Sequence, residues 1–374
     1  MLNQLFLGLV VASATLGTTL ATSARAEAAA GYQLMPVTGM VLGSALNSAG
    51  QVAGTDRYRE ALLWQSGAGQ SLGLPALYEL DSASRLGLSE NGQIATYHEA
   101  SDASVRWQAG AYTELRAPYQ SGLKTMAYGV NDAGWVVGMT RYPGGGFEYP
   151  STAATLWDAN GLGSELGDLG GLNSAAFAIN NQGVVVGWGV DAATGARAVS
   201  WFNGVPTVLA SLSATPWDAA NSISESGLIV GRAQTTAGQT HAALWLADWV
   251  FDLGTLPGGE HSIALDVNRW GQTVGTSTSD QGLSHAVLWD NFQAIDLNLY
   301  LGADERLAGW HLGSAASIND GGAILVNGFN LVTHEGQAFL LTPVPEPGTW
   351  ALWLAGLAGV ALAKARRVGT RSVL

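Results

Sequence analysis

The chain of 374 residues contains no cysteine. This excludes a disulfide framework and a thiolate metal site, so an exported form would rely on packing alone. Charge is sparse too, at 12% Asp, Glu, Lys and Arg, with only 16 basic residues against 29 acidic ones. Residues 27–343 hold 11 basic and 28 acidic residues, and such a surface repels phosphate backbones, so no nucleic-acid partner is expected. The shortage of Glu, Lys and Arg also argues against a helical bundle. No nucleophile elbow of the Gly-x-Ser-x-Gly type, His-Glu-x-x-His helix, P-loop or calcium loop occurs. No cofactor, catalytic residue or metal site is therefore expected.

What is abundant is glycine, with 50 residues, and apolar surface, with 47% hydrophobic residues, too much to remain disordered. Seven times the chain repeats one unit: a small residue, an aliphatic one, Asn or Ser, two turn residues and Gly. The turn glycines are Gly50, Gly92, Gly134, Gly183, Gly227, Gly271 and Gly322, at spacings of 42, 42, 49, 44, 44 and 51 residues. A period near 40–45 with four short strands per unit is the arithmetic of a β-propeller blade. In the sixth copy the strands are expected at residues 262–268, 272–276, 284–289 and 292–297. The fold expected is all-β, a seven-bladed β-propeller of four-stranded antiparallel blades, with a separate hydrophobic helix at the C-terminus.

Two columns support this reading. Four residues before each glycine stand Leu46, Leu88, Val130, Ile179, Ile223, Val267 and Ile318, all aliphatic. One residue earlier stand Ala45, Gly87, Gly129, Ala178, Ser222, Asp266 and Ser317, nearly all small, as the crowded inner strand of a blade requires. The third strand ends in Trp64, Trp107, Trp157, Trp201, Trp245 and Trp289, read as packing between blades. The seventh copy stops after its third strand, and Tyr32–Val37 has no partner in its own copy. It is expected to complete the last blade and so remove an open edge.

Asp266 is the deviant in the small column: an axis-facing acid there could bind a cation or polar ligand, or stand solvated in the channel. Histidines His241 and His285 share one repeat position with Glu60, Ala103, Ala153, Arg197 and Gln337. Such variety suits a strand surface rather than a ligand shell. The tryptophans off the column, among them Trp135, Trp188, Trp217, Trp249, Trp270 and Trp310, could stack on sugar rings or pack loops against the sheets. The segments His241-Ala242-Ala243-Leu244-Trp245 and His285-Ala286-Val287-Leu288-Trp289, with Asp168-Leu169-Gly170 and Asp252-Leu253-Gly254, resemble the extracellular HAF repeat in degenerate form. That resemblance implies life outside the cell and assigns no reaction.

The ends read as sorting signals. An apolar run from Leu5 to Ala12 leads to Ala24-Arg25-Ala26, a small-x-small pattern with cleavage after Ala26, although no Lys or Arg precedes the run. A membrane anchor is the other reading of this segment. At the other end Pro345-Glu346-Pro347 is followed by 14 apolar or small residues, Trp350 to Ala363, and then by Lys364, Arg366 and Arg367. Fourteen residues span about 21 Å as a helix, short of the roughly 30 Å hydrocarbon core, and Trp350 with the basic residues makes up part of the difference. The tripartite tail resembles the PEP-CTERM sorting signal of Gram-negative bacteria, which implies recognition and cleavage by an exosortase near Pro345, Glu346 and Pro347.

The organisation expected is thus a signal peptide at 1–26, a propeller at 27–342 and a sorting tail at 343–374 with a transmembrane helix at 350–363. The function expected is an exported surface or matrix protein, held for a time in the inner membrane by its C-terminal helix. It would act as a binding or structural module, with extracellular polysaccharide as a candidate partner. The rival is a secreted propeller lyase or glycosidase, which needs two or three acids, His or Tyr converging at one mouth.

Overall fold

The turns build the fold. In every copy the Asn or Ser carbonyl accepts from the N–H of the turn glycine, as in Gly50 N–H to Asn47 O at 3.1 Å and Gly271 N–H to Asn268 O at 3.1 Å. The same residue's side-chain oxygen accepts from the N–H four residues on, as in Gln51 to Asn47 Oδ1 at 2.9 Å and Leu228 to Ser224 Oγ at 3.0 Å. All seven glycines have φ between 74° and 86°, the left-handed region in which a side chain is strained. Around Gly227 nothing lies within 4 Å of where a Cβ would sit, so only the backbone opposes a substitution. Gly227→Ala is expected to cost about 1 kcal/mol for that reason, read as a lowered urea midpoint at unchanged slope.

The computed structural model describes residues 31–73, 86–98, 103–119, 122–143 and 151–344. The chain divides into two compact units, Leu34–Leu341 and a smaller one made of Met1–Gln33 with Thr342–Leu374. Within the described residues the fold is all-β apart from a 3-10 turn at Leu297–Tyr300 and a one-turn helix at Ala303–Leu307. These two turns occupy the extra length of the 51-residue interval before the seventh copy.

Copies one, two, five and six each form a four-stranded antiparallel sheet. In copy six the strands are Ser262–Val267, Thr273–Thr278, Ser284–Asp290 and Gln293–Asp296. The fourth strand stops at Asp296 because its carboxylate caps the 3-10 turn, accepting from Asn298 N–H. Copies three and four make two such antiparallel sets, joined into one eight-stranded sheet by a single parallel pair, Thr152 with Asn173. The last sheet has the order Tyr32–Pro36, Gly336–Pro343, Ile324–Asn330, Trp310–Ile318, so the N-terminal strand lies beside the last one.

Among the described residues there is no single core: each apolar cluster lies between two neighbouring copies and holds one of the repeated tryptophans. Trp201, for example, packs with Val137, Ala154 and Leu166 of copy three. The indoles of Trp157, Trp201 and Trp245 also donate to main-chain carbonyls of the preceding copy, at Arg116, Gly167 and Ala210, over 2.7–2.8 Å. Trp64 and Trp289 occupy the same place, but their buried N–H groups have no partner.

Candidate ligand-binding cavity

The first strands of all seven copies face one cavity of about 660 Å³ inside the larger unit. Their geometry follows from a repeated irregularity. In six copies the pairing of first and second strand slips by one residue, at Ser44, Tyr128, Phe177, Asn221, Leu265 and Ala316, which have no residue opposite them in the register. Each of these six lines the cavity. A β-bulge re-aims a side chain in this way and sharpens the local twist. Opposite the bulge the second strand carries Gly138, Gly187, Gly231 or Gly275, where any Cβ would run into a first-strand carbonyl. This glycine column was present in the sequence and would have located the bulges.

The small column now has a physical reason. A Cβ on Gly87 would lie 2.6 Å from Tyr128 O, and one on Gly129 would lie 2.9 Å from Phe177 O. Neighbouring first strands touch at this column, so large residues cannot occupy it.

The turn asparagines tie the copies together. Asn47 Nδ2 donates to Ser89 O (3.1 Å), Asn131 to Asn180 O (3.2 Å), Asn180 to Ser224 O (3.4 Å), Asn268 to Asn319 O (3.2 Å) and Asn319 to Asn47 O (3.1 Å). Where the copy carries Ser, Gln93 Nε2 reaches Asn131 O and Ser226 Oγ reaches Arg269 O. The sequence of bonds runs through every copy and returns from the seventh to the first. These asparagines are buried, and each amide is shared: its oxygen accepts within its own turn while its nitrogen reaches the next copy.

The residue after each Asn or Ser forms a rim on the turn side. Glu90 accepts from Ser48 N–H, Glu225 from Asn181 N–H and Asp320 from Arg269 N–H, at 2.9–3.2 Å, while Asp132 accepts from Asn91 N–H at 2.9 Å. Burial pushes Glu225 above the usual carboxylate range, and the charges of Asp132, Glu90 and Asp320 add to the rise. Arg269 is paired with Asp320, which holds that carboxyl below its ordinary value against the opposing effect of burial.

Asp266 is half-buried in the cavity wall, and its carboxylate is fully engaged by the protein. Its Oδ1 accepts from Ser222 Oγ at 2.7 Å and Val267 N–H at 2.9 Å, and its Oδ2 from Ser317 Oγ at 2.7 Å and Ile318 N–H at 2.9 Å. Ser222 and Ser317 are the small-column residues of the two flanking copies. Four donors thus engage the carboxylate at which a channel ligand was expected, and through them it joins copies five, six and seven. Burial pushes its pKa up, opposed by those four hydrogen bonds.

The repeated histidines are also paired. His241 Nδ1 lies 2.9 Å from Asp252, and His285 Nδ1 lies 2.8 Å from Asp296, each joining a third strand to a fourth. The partners are the Asp of Asp252-Leu253-Gly254 and its counterpart at Asp296-Leu297. Among the described residues no group of three or more His, Asp or Glu could hold a metal ion. Trp188 and Trp310 lie in strands and are partly buried, Trp310 edge-on to Phe339. Trp217, Trp249 and Trp270 are 62%, 66% and 71% exposed.

Residues 343–367 match the PEP-CTERM protein-sorting motif. This stretch contains Pro345, Glu346, Pro347, Lys364, Arg366 and Arg367, and the motif implies export and membrane-associated sorting with exosortase processing. Those side chains, the apolar stretch 350–363, and Ala24 and Ala26 lie outside the described residues. Among the described residues no helix is long and apolar enough to cross a membrane. No curated protein sequence matches the chain. Among solved structures it is similar to a streptogramin B lyase, at 15% identity and a TM-score of 0.44 over 84% of this chain and 98% of that one. It is similar to YCF48 from Cyanidioschyzon merolae, at 10% identity and 0.48 over 84% and 99%. A gluconolactonase from Xanthomonas campestris gives 13% identity and 0.40 over 85% and 93%. Likenesses at this level carry no argument about what this chain binds or does.

Proposed function

We propose that this chain is an exported cell-surface or matrix protein, released from its C-terminal tail by an exosortase, in which a seven-bladed propeller serves as a binding or structural module. The match at residues 343–367 carries this reading. In it the N-terminal segment is a signal peptide cleaved after Ala26, and residues 350–363 cross the inner membrane with Lys364, Arg366 and Arg367 on the cytoplasmic side. The seven copies are seven blades of a degenerate HAF-type repeat, the last closed by the N-terminal strand. Extracellular polysaccharide is the partner proposed.

Binding is preferred to catalysis because the carboxylates around the cavity are tied into bonds between copies. Asp266 holds three copies together, and Glu90, Asp132, Glu225 and Asp320 each accept from a neighbouring turn. A general acid or base must exchange its proton with substrate rather than hold a turn in place.

The sorting half of the proposal is tested by mass spectrometry of the protein from its native host, with and without the exosortase. The expected result is a C-terminus near Pro345–Pro347 in the first strain and peptides reaching Arg367 only in the second. Peptides spanning Arg366 and Arg367 in equal amount in both strains would leave a plain membrane anchor.

A further inference from the structure

The cavity wall is uneven in charge. Its lining includes two cations, Arg232 and Arg269, and Arg269 is held at the rim by Asp320. Arg232 has no such partner. It sits on the second strand of copy five, opposite Ala219 on one side and Ala242 on the other, and neither offers a polar side chain. Its Nε is buried without a hydrogen bond. The carboxylate that acts on it is Asp218, whose oxygens already accept from Gln234 N–H at 2.9 Å and Ser211 Oγ at 2.6 Å. Burial lowers the pKa of Arg232, with Asp218 offsetting only part of the effect. A desolvated guanidinium with an idle donor is costly, and a site retains one where an anion completes it.

The neighbours set the class of anion. Thr276 occupies in copy six the strand position that Arg232 holds in copy five, and Ser314 lies on the first strand of copy seven. Both bring hydroxyls to the lining. On the other side of copy five the wall continues into an aromatic pair, Tyr128 and Phe177, with ring centroids 5.6 Å apart at 72°. A guanidinium fork matches a carboxylate, hydroxyls match hydroxyls, and aromatic faces accept the C–H face of a sugar ring. The volume of about 660 Å³ suits a small ligand. Long polyanions are opposed by the acidic rim and the net charge of -13.

We propose that Arg232 anchors a small hydroxylated carboxylate of the sugar-acid class in this cavity. The proposal deepens the binding-module reading and rests on it. Arg232 lies three residues, about 10 Å, along its strand from Ile229, next to the turn side, so the site stands back from the acidic rim.

The test is calorimetric titration of the full-length protein with D-glucuronate, D-glucose and an oligoglucuronide. Glucuronate is expected to bind at least tenfold more tightly than glucose, with an affinity that falls as salt is raised. Arg232→Gln should abolish that preference, and Arg232→Lys should keep part of it. Equal affinity for the acid and the neutral sugar in the unaltered protein overturns the proposal, and this comparison needs no variant to fold. Tighter binding of glucuronate than of the oligomer assigns a free acid, and the reverse assigns a polysaccharide end. Glycan binding insensitive to Arg232→Gln sinks the site but leaves the binding module. Turnover of the sugar acid sinks the binding module.

Discussion

Removal of residues 32–37 is expected to cost the protein several kcal/mol and to make it aggregate. The loss has three parts. Val37 is fully buried in a cluster with Val52, Trp64, Leu325 and Leu340, and burying one such side chain contributes about 1.5–3 kcal/mol. Val37 N–H donates to Ala338 O at 2.8 Å and Gln337 Nε2 donates to Val37 O at 2.9 Å, each bond worth about 1 kcal/mol. The third part is kinetic and larger in effect. Without its neighbour the strand Gly336–Pro343 becomes an open edge, and an unpaired apolar edge templates pairing with another chain. Light scattering and size-exclusion chromatography at rising concentration measure this. A variant that stays monodisperse with an unchanged melting temperature would show that the first strand is dispensable.

Asp266→Ala is expected to be the most damaging single substitution in the repeat, at roughly 3–5 kcal/mol, since each buried polar group left without its partner costs about 1–3 kcal/mol. It strands the N–H groups of Val267 and Ile318 and the hydroxyls of Ser222 and Ser317 at the junction of three copies. The loss should depend on pH in a defined sense. Burial raises the carboxyl's pKa in the folded chain, so the native state holds its proton more tightly than the unfolded state does. That contribution is full below the unfolded pKa and is lost as pH rises through the folded one. The gap between the two proteins is therefore widest in acid and narrows toward neutrality. Urea titrations from pH 4 to 8 check both size and slope. A gap that widens with pH would mean that the four donors outweigh burial and hold the carboxyl ionised.

Much of the scaffold was legible because it depends on short-range chemistry that repeats. Asn or Ser followed by two turn residues and Gly specifies a hairpin whatever lies around it, and all seven glycines have the positive φ that this turn requires. The tryptophan column was equally plain, since only a repeated environment keeps one large residue at one place in six copies. Other features were visible without their meaning. The small column was assigned to crowding, but that neighbouring first strands touch there appears only when Gly87 and Gly129 are set against Tyr128 and Phe177. The turn asparagines were assigned to turns, yet half of each amide serves the next copy.

The sequence by itself determined the repeat, its strands, its turns and the sorting tail, because each is encoded within a few tens of consecutive residues. The tertiary structure alone decided what Asp266 and Arg232 are. Both are charged residues in columns of mostly uncharged ones, and nothing local separates them. Asp266 receives two of its four donors from Ser222 and Ser317, 44 and 51 residues away. The cross-strand neighbours of Arg232 are alanines, and its Nε is buried without a hydrogen bond. The difference lies in what neighbouring strands place beside each charge, and that is fixed only when the copies close on one another.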